Sequence, residues 1–175
     1  KLNKFKNFKF LKVDITNKKR LFNSLKKEKI FYIFHFAAQA GVRYSLIKPD
    51  KYVKVNILGF DNIIQLSQVK KVKKFLYASS SSVYGDNTNY PLNEKTDLNP
   101  KNIYGMSKKY NEEMAEFYSN LYGINMIGLR FFTVFGEWGR PDMFINKFLN
   151  CSYSNTTFEL NNGGNHYRDF TYIGD

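Results

Sequence analysis

Tyr104 and Lys108 stand four residues apart in Tyr104-Gly105-Met106-Ser107-Lys108. On a helix that spacing puts both side chains on one face. A phenol ionises near pH ~10, too high for a general base at neutral pH. A neighbouring positive charge favours the phenolate and brings that value down. Such a pair can take a proton from a hydroxyl while hydride leaves the same carbon. Tyr44 and Lys48 share the spacing, in a chain of 13 tyrosines, but Pro49 disfavours helix at Lys48. An ordinary surface pair on a helix has the same spacing too. A second cluster precedes the first. Phe75 to Ala78 is a short apolar run that passes directly into Ser79-Ser80-Ser81-Ser82, then Val83-Tyr84-Gly85. A serine run is commonly a flexible turn, a reading harder to sustain directly at the end of an apolar strand.

Elements must hold these residues in place. Phe8 to Ile15 alternates as a strand, closed by Asp14. Asn17 can cap a helix running to about Glu28, with Leu21, Phe22 and Leu25 on one face. Ile30 to Phe36 is the continuous apolar run of a buried parallel strand, followed by the small-residue turn Ala37-Ala38-Gln39-Ala40-Gly41. Pro49 opens a helix whose apolar stripe is Val53, Ile57, Phe60, Ile64 and Leu66. Tyr104 to Leu121 is a long helix stopped by Gly123, Asn125 to Phe132 a strand, and Pro141 to Leu149 a shorter helix. This alternation predicts an α/β fold, a doubly wound parallel sheet of the Rossmann-like kind with helices on both faces. Ligands bind beyond the carboxyl ends of such strands. Those ends carry Asp14, Phe36-Ala37-Ala38, Ser79 to Ser82 and Phe132-Thr133.

A dinucleotide fold opens with a strand, a Gly-rich turn and a helix. No such turn occurs here, and Gly163-Gly164 opens no helix. The expectation is a chain truncated at both ends. Residues 1–140 are then a partial dinucleotide-binding domain without its first βαβ unit, and residues 141–175 the start of a substrate-binding region. Its sheet should have an uncovered side.

Composition narrows the class. The 175 residues are 43% hydrophobic and 24% charged, which suits a globular domain rather than a disordered chain. The net charge of +12 comes from 27 basic and 15 acidic residues. Only Arg20, Arg43, Arg130, Arg140 and Arg168 are arginine, so the charge is mostly lysine, spread over predicted helices and turns. That is a solvated surface, not a nucleic-acid partner. No apolar run approaches the roughly 20 residues of a membrane span. Cys151 stands alone, which excludes an internal disulfide and a cysteine-rich metal site, and no metal is expected. A reducing, cytoplasmic setting fits. No signal peptide is visible, and the sequence opens without an initiator Met.

The stretch Ala78 to Gly85, followed by the Tyr104/Lys108 pair, resembles the extended short-chain dehydrogenase/reductase family in its NAD-dependent epimerase/dehydratase branch. The resemblance covers essentially the whole chain. It implies a catalytic triad of Ser80, Tyr104 and Lys108, in which Ser80 bonds the reacting oxygen and steers its proton toward Tyr104. It implies NAD as the cofactor, with the nicotinamide adding to the positive charge near the phenol. Val13-Asp14-Ile15 looks like the adenine-contacting turn, with Asp14 accepting from the exocyclic amine. Phe36, Ala37, Ala38 and Gln39 look like the strand-end turn beneath the cofactor, which Tyr104 and Lys108 also contact. Leu129 to Gly136 and Gly139 to Met143 resemble the substrate side. His166 to Tyr172 resembles a closing motif in which Arg168 holds the nucleotide phosphates, a role suited to a planar fork.

Ser81 and Ser82 occupy places where the dehydratase and decarboxylase branches usually carry acidic residues, which points to an epimerase. Ala40-Gly41-Val42-Arg43-Tyr44-Ser45, with Gly139-Arg140-Pro141-Asp142-Met143, looks like the subgroup acting on UDP-glucuronate. The resemblance then implies C4 epimerisation to UDP-galacturonate through a 4-keto sugar, by a homodimer when full-length. A 4-keto uronate is a β-keto acid that tends to lose CO2. By the same resemblance, Ser81, Ser82 and Thr133 are the neutral donors that would hold its carboxylate still, and Arg140 would close over the sugar. Two alternatives stay open: a UDP-glucose/UDP-galactose 4-epimerase or other sugar-nucleotide epimerase, and a catalytically inactive fragment or binding module. His35 reads as a core histidine, Asn56 as a structural hydrogen bonder, and Trp138 as a packing residue.

Overall fold

Three short apolar runs build a parallel sheet, β1 (Tyr32–His35), β2 (Lys74–Ala78) and β3 (Asn125–Leu129), in the order β1-β2-β3. The register pairs His35 with Tyr77 and Ala78 with Leu129, so the three carboxyl ends emerge along one edge. That places the turn after His35 beside the serine run after Ala78. The computed structural model describes residues 2–87, 89–165 and 169–175. The chain forms two compact units, Lys1–Arg130 and Phe131–Asp175.

Parallel neighbours need long crossovers, and helices supply them. Asn17 caps α1 (Lys18–Ser24), its Oδ1 accepting from the Arg20 amide at 3.0 Å. α2 (Val42–Ile47) ends at Lys48, whose φ of −133° is not helical, so Tyr44 and Lys48 do not share a helix. Pro49 opens α3 (Pro49–Tyr52), which continues as a π-helical stretch, Val53–Gly59, and then as α4 (Phe60–Val69). α5 (Ile103–Tyr122) is capped by Asn102 and ends on Gly123 in the left-handed region, at φ 66°. The core of this unit joins Leu21 of α1, Phe60, Ile63, Ile64 and Leu66 of α4, Phe75 and Tyr77 of β2, and Ala115 of α5. Burying each large apolar side chain contributes about 1.5–3 kcal/mol. Tyr32 and Phe34, on the other face of β1, are exposed.

In the second unit, β4 (Thr133–Phe135) pairs in parallel with β5 (Phe170–Tyr172). α6 (Phe144–Tyr153) follows β4, and Phe144 meets Phe158 edge-on at 5.4 Å.

Four expectations are corrected. Phe8 to Ile15 is not a strand. Its alternation is real, but a strand's N–H and C=O groups need a neighbour, and no described strand pairs with it. The stripe on the Pro49 helix is different, because a π turn inserts an extra residue and rotates everything before it. Val53 is therefore exposed and Tyr52 and Asn56 are buried in its place. The last helix starts at Phe144, not Pro141, with Met143 extended before it. Trp138 does not pack into a core but is 87% exposed.

Candidate active site

The serine run leaves β2 in extended geometry and then tightens. Ser79 continues the ladder, its amide donating to the Leu129 carbonyl at 2.8 Å. Ser80 is 7% exposed and starts a 3-10 turn, Ser81–Val83, by accepting from the Ser82 amide at 3.2 Å. A hydroxyl that accepts one bond can still donate its own proton. Ser81 and Ser82 are half-buried.

α5 brings the paired residues onto this turn. Lys108 is only 4% exposed, and its Nζ donates to the Ala78 carbonyl at 2.7 Å. Burial lowers its pKa to about 8, which still leaves it cationic at neutral pH. Gly105 lets the helix come this close, because a Cβ there would meet the Ser82 carbonyl oxygen at 2.5 Å. Tyr104, half-buried, has its ring edge-on to Tyr52 at 6.2 Å. The carbonyl of Tyr104 accepts from Ser107 Oγ at 2.8 Å.

Behind the pair lies a polar clamp. Asn56, in the π-helical stretch, bonds both backbone groups of Gln39: its Oδ1 accepts from the amide at 2.8 Å, and its Nδ2 donates to the carbonyl at 3.0 Å. The same Nδ2 reaches Ser107 Oγ at 2.9 Å, and Asn111 Nδ2 donates to the Asn56 carbonyl at 2.7 Å. Tyr52, fully buried, bonds the Ala40 and Gly41 carbonyls at 3.0 and 2.6 Å. The small-residue turn is therefore tied to the helix that carries Tyr104 and Lys108. Phe36 and Ala37 are exposed at its start, and Ala38 and Gln39 are half-buried. His35 is buried against Phe60 and Phe75, and burial, with the Lys108 charge adding, pushes its pKa to about 4.

Asp14 and Ile15 form a separate turn. The exposed Asp14 carboxylate accepts from the Thr16 amide at 2.9 Å, and this bond holds its pKa below the usual range. The buried Asn62 donates to the Ile15 carbonyl at 2.9 Å, and Gly59 leaves room for the Ile15 side chain. Thr133 and Arg140 belong to the second unit. Thr133 is half-buried in β4, and Arg140 is exposed, with Nε 3.5 Å from Asp142 Oδ1 and a terminal nitrogen 3.0 Å from Met143 Sδ. Arg168 lies outside the described residues. Among the described residues, no group of three or more His, Cys, Asp or Glu could hold a metal ion. No described helix is long and apolar enough to cross a membrane.

Sequence reasoning did not find Tyr52, Gly105, Ser107 or Asn111. Only Gly105 left a local signal, as a glycine inside a helical pattern. The others act through partners distant in the chain.

The sequence matches the NAD dependent epimerase/dehydratase family across residues 1–175. UDP-glucuronate 4-epimerase 4 of Arabidopsis thaliana is 46% identical over 149 residues, which are 82% of this chain and 34% of that protein. Among solved structures, the UDP-glucuronic acid 4-epimerase from Bacillus cereus, in complex with UDP-glucuronic acid and NAD, is similar with a TM-score of 0.89 at 30% identity. That match covers 99% of this chain and 54% of the other. The UDP-glucose 4-epimerase from Thermotoga maritima, with UDP-glucose, gives a TM-score of 0.91 at 27% identity, over 97% of this chain and 57% of the other. The chain spans about half the length of the first curated relatives it matches, 54% and 51%.

Proposed function

The chain belongs to the NAD-dependent epimerase/dehydratase family, and we propose that the protein it forms is a sugar-nucleotide 4-epimerase converting UDP-glucuronate to UDP-galacturonate. One observation carries the reading: Lys108 is bonded to the last carbonyl of β2 while Gly105 seats the same helix against the serine turn. These two ties seat the helix that carries Tyr104 and Lys108 against the turn that carries Ser80, at the carboxyl edge of a parallel sheet where such folds bind ligands, and this supports the reading.

In this reading Tyr104 takes the proton of the sugar 4-hydroxyl, and Ser80 bonds the same oxygen and orients it. Lys108, four residues on along the same helix face, stays cationic at neutral pH. NAD held by these residues would supply the hydride acceptor for C4 and the donor for its return. Asp14 and Ile15 would hold the adenine, and Phe36, Ala37, Ala38 and Gln39 would lie under the dinucleotide together with Tyr104 and Lys108. The residues fit that group. The side chains of Ala37 and Ala38 are too short to cover their own backbone, and Asn56 fixes Gln39 through both backbone groups. Ser81 and Ser82 offer neutral donors for the uronate carboxylate, which would retard its loss as CO2, and the family resemblance assigns Thr133 the same role. The family resemblance assigns Arg140 to closing over the sugar and Arg168 to the phosphates.

The full protein is, on the same reading, a cytoplasmic homodimer that supplies a sugar nucleotide for polysaccharide synthesis. An exposed groove lined by Val53, Leu58, Tyr110 and Phe117, along the Pro49–Val69 helix and α5, supports the dimer.

The test compares UDP-glucuronate with UDP-glucose in the natural full-length protein, following the epimers by chromatography. Turnover of the acid at least tenfold faster supports the assignment. Preference for the neutral sugar keeps the mechanism and changes the substrate, and no turnover of either leaves a binding module.

A further inference from the structure

Glu112 lies four residues past Lys108 on the same face of α5, and none of the chemistry above uses it. Ser79 Oγ donates to its Oε1 in a short hydrogen bond. Arg130, just past the end of β3, closes on both carboxylate oxygens. Its Nε stands 3.0 Å from Oε1 and 3.3 Å from Oε2, and a terminal nitrogen stands 2.8 Å from Oε2. The other terminal nitrogen donates to the Tyr84 hydroxyl at 3.1 Å and the Glu94 carbonyl at 3.2 Å. The guanidinium also lies over the Tyr84 ring, 5.0 Å from its centroid.

The two charged side chains are only 19% and 15% exposed. An ion pair this far out of water is a poor source of stability, since apolar side chains of similar volume often serve as well or better. What a bidentate pair supplies is a fixed geometry. Here the fixed object is the Ser79 hydroxyl. Ser79 continues the ladder of β2, and Ser80 follows in extended backbone, at φ −161° and ψ 147°. Successive side chains of an extended chain point to opposite sides. Tying Ser79 to Glu112 therefore turns the Ser80 hydroxyl the other way, into the turn that Gly105 touches.

We infer that Glu112, locked by Arg130, is a positioning residue that sets the Ser80–Ser82 turn through the Ser79 hydroxyl. The inference rests on the reading of Ser80, Tyr104 and Lys108 as the catalytic group. It extends that reading to an acidic residue that touches neither substrate nor cofactor.

The experiment uses the natural full-length protein and measures kcat and KM for the UDP-sugar, with thermal unfolding alongside. The variants are Glu112→Ala, Glu112→Gln, Ser79→Ala and the Ser79→Ala/Glu112→Ala double, with Tyr104→Phe as reference. Glu112→Ala is expected to lower kcat tenfold or more with KM within twofold. Glu112→Gln, whose amide oxygen still accepts from Ser79, restores part of that loss. Ser79→Ala lowers kcat, and adding it to Glu112→Ala costs nothing more, because both cut the same link. Additive losses, a loss confined to KM, or a glutamine variant no better than alanine overturns the inference. If Glu112→Ala does not fold, Ser79→Ala decides. Reduced kcat at an unchanged unfolding temperature supports the inference, and wild-type kcat overturns it. A wild type that turns over no UDP-sugar, or an active Tyr104→Phe, strikes the underlying reading instead and takes the inference with it.

Discussion

Lys108 holds its charge in a place that disfavours it. Its folded-state pKa of about 8 lies below the ordinary 10.5, so the fold resists the protonated form by about 3 kcal/mol. The sign follows from where the two values lie. Below pH 8 the lysine is charged both folded and unfolded, and the penalty is present in full. It fades as pH rises from 8 toward 10.5. Lys108→Met removes the penalty and gives up a charged hydrogen bond to Ala78, worth about 1.5–3 kcal/mol. The variant should match or exceed wild type in stability, by up to about 1.5 kcal/mol at pH 7, while losing turnover. Unfolding curves at pH 7 and pH 10 check this, because the advantage should shrink at the higher pH. A less stable variant at pH 7 would show that the lysine carries structural weight of its own. The pairing of Tyr104 with Lys108, and the serine run, were legible in the sequence because each signal is local. The bonds that seat them were not: Gln39 to Asn56 spans 17 positions and Ser79 to Glu112 spans 33.

Helix α5 was predicted almost to its ends, with Gly123 marking its stop. Its depth against the serine turn was not, and that depth rests on Gly105. Alanine is better than glycine inside a helix by about 0.8–1.0 kcal/mol. At position 105, however, the new Cβ would lie 2.5 Å from the Ser82 carbonyl oxygen and 3.0 Å from Pro100 Cβ. Backbone cannot swing aside as a flexible side chain can. Gly105→Ala is therefore expected to keep its helical circular dichroism and lose about tenfold or more in kcat, as small misplacements of reacting groups do. Wild-type kcat in that variant would mean the junction tolerates a shift of this size. The π-helical stretch and the missing strand at residues 8–15 share a cause. A periodic pattern reports which residues favour an element, whereas a register shift or a ladder partner is decided by packing elsewhere.

On the scale of the whole molecule, the alternation of strand and helix gave the parallel α/β class correctly. The split into units at Arg130 and Phe131 left no composition signal in the sequence. One large feature of the first unit faces solvent, the groove where Phe117 is 63% exposed, Val53 52%, Leu58 48% and Tyr110 43%. Contiguous apolar surface of this kind marks an interaction site. The natural full-length protein is expected to run at twice its monomer mass in light scattering. Phe117→Glu, which sets a charge in the groove, should run as a folded monomer. An unchanged mass in that variant would remove the groove from the proposed interface.

The serine turn, Tyr104 and Lys108 are proposed to act on one sugar carbon, and the hydrogen on that carbon reports directly on what they do. UDP-glucuronate carrying deuterium at C4 would be given to the natural full-length protein and to its Tyr104→Phe variant. UDP-galacturonate that keeps its deuterium at C4, with product formation at least a hundredfold slower in the variant, is the expected result. Deuterium lost to solvent, or a variant as fast as wild type, would contradict the assignment of hydride-linked epimerisation to this junction.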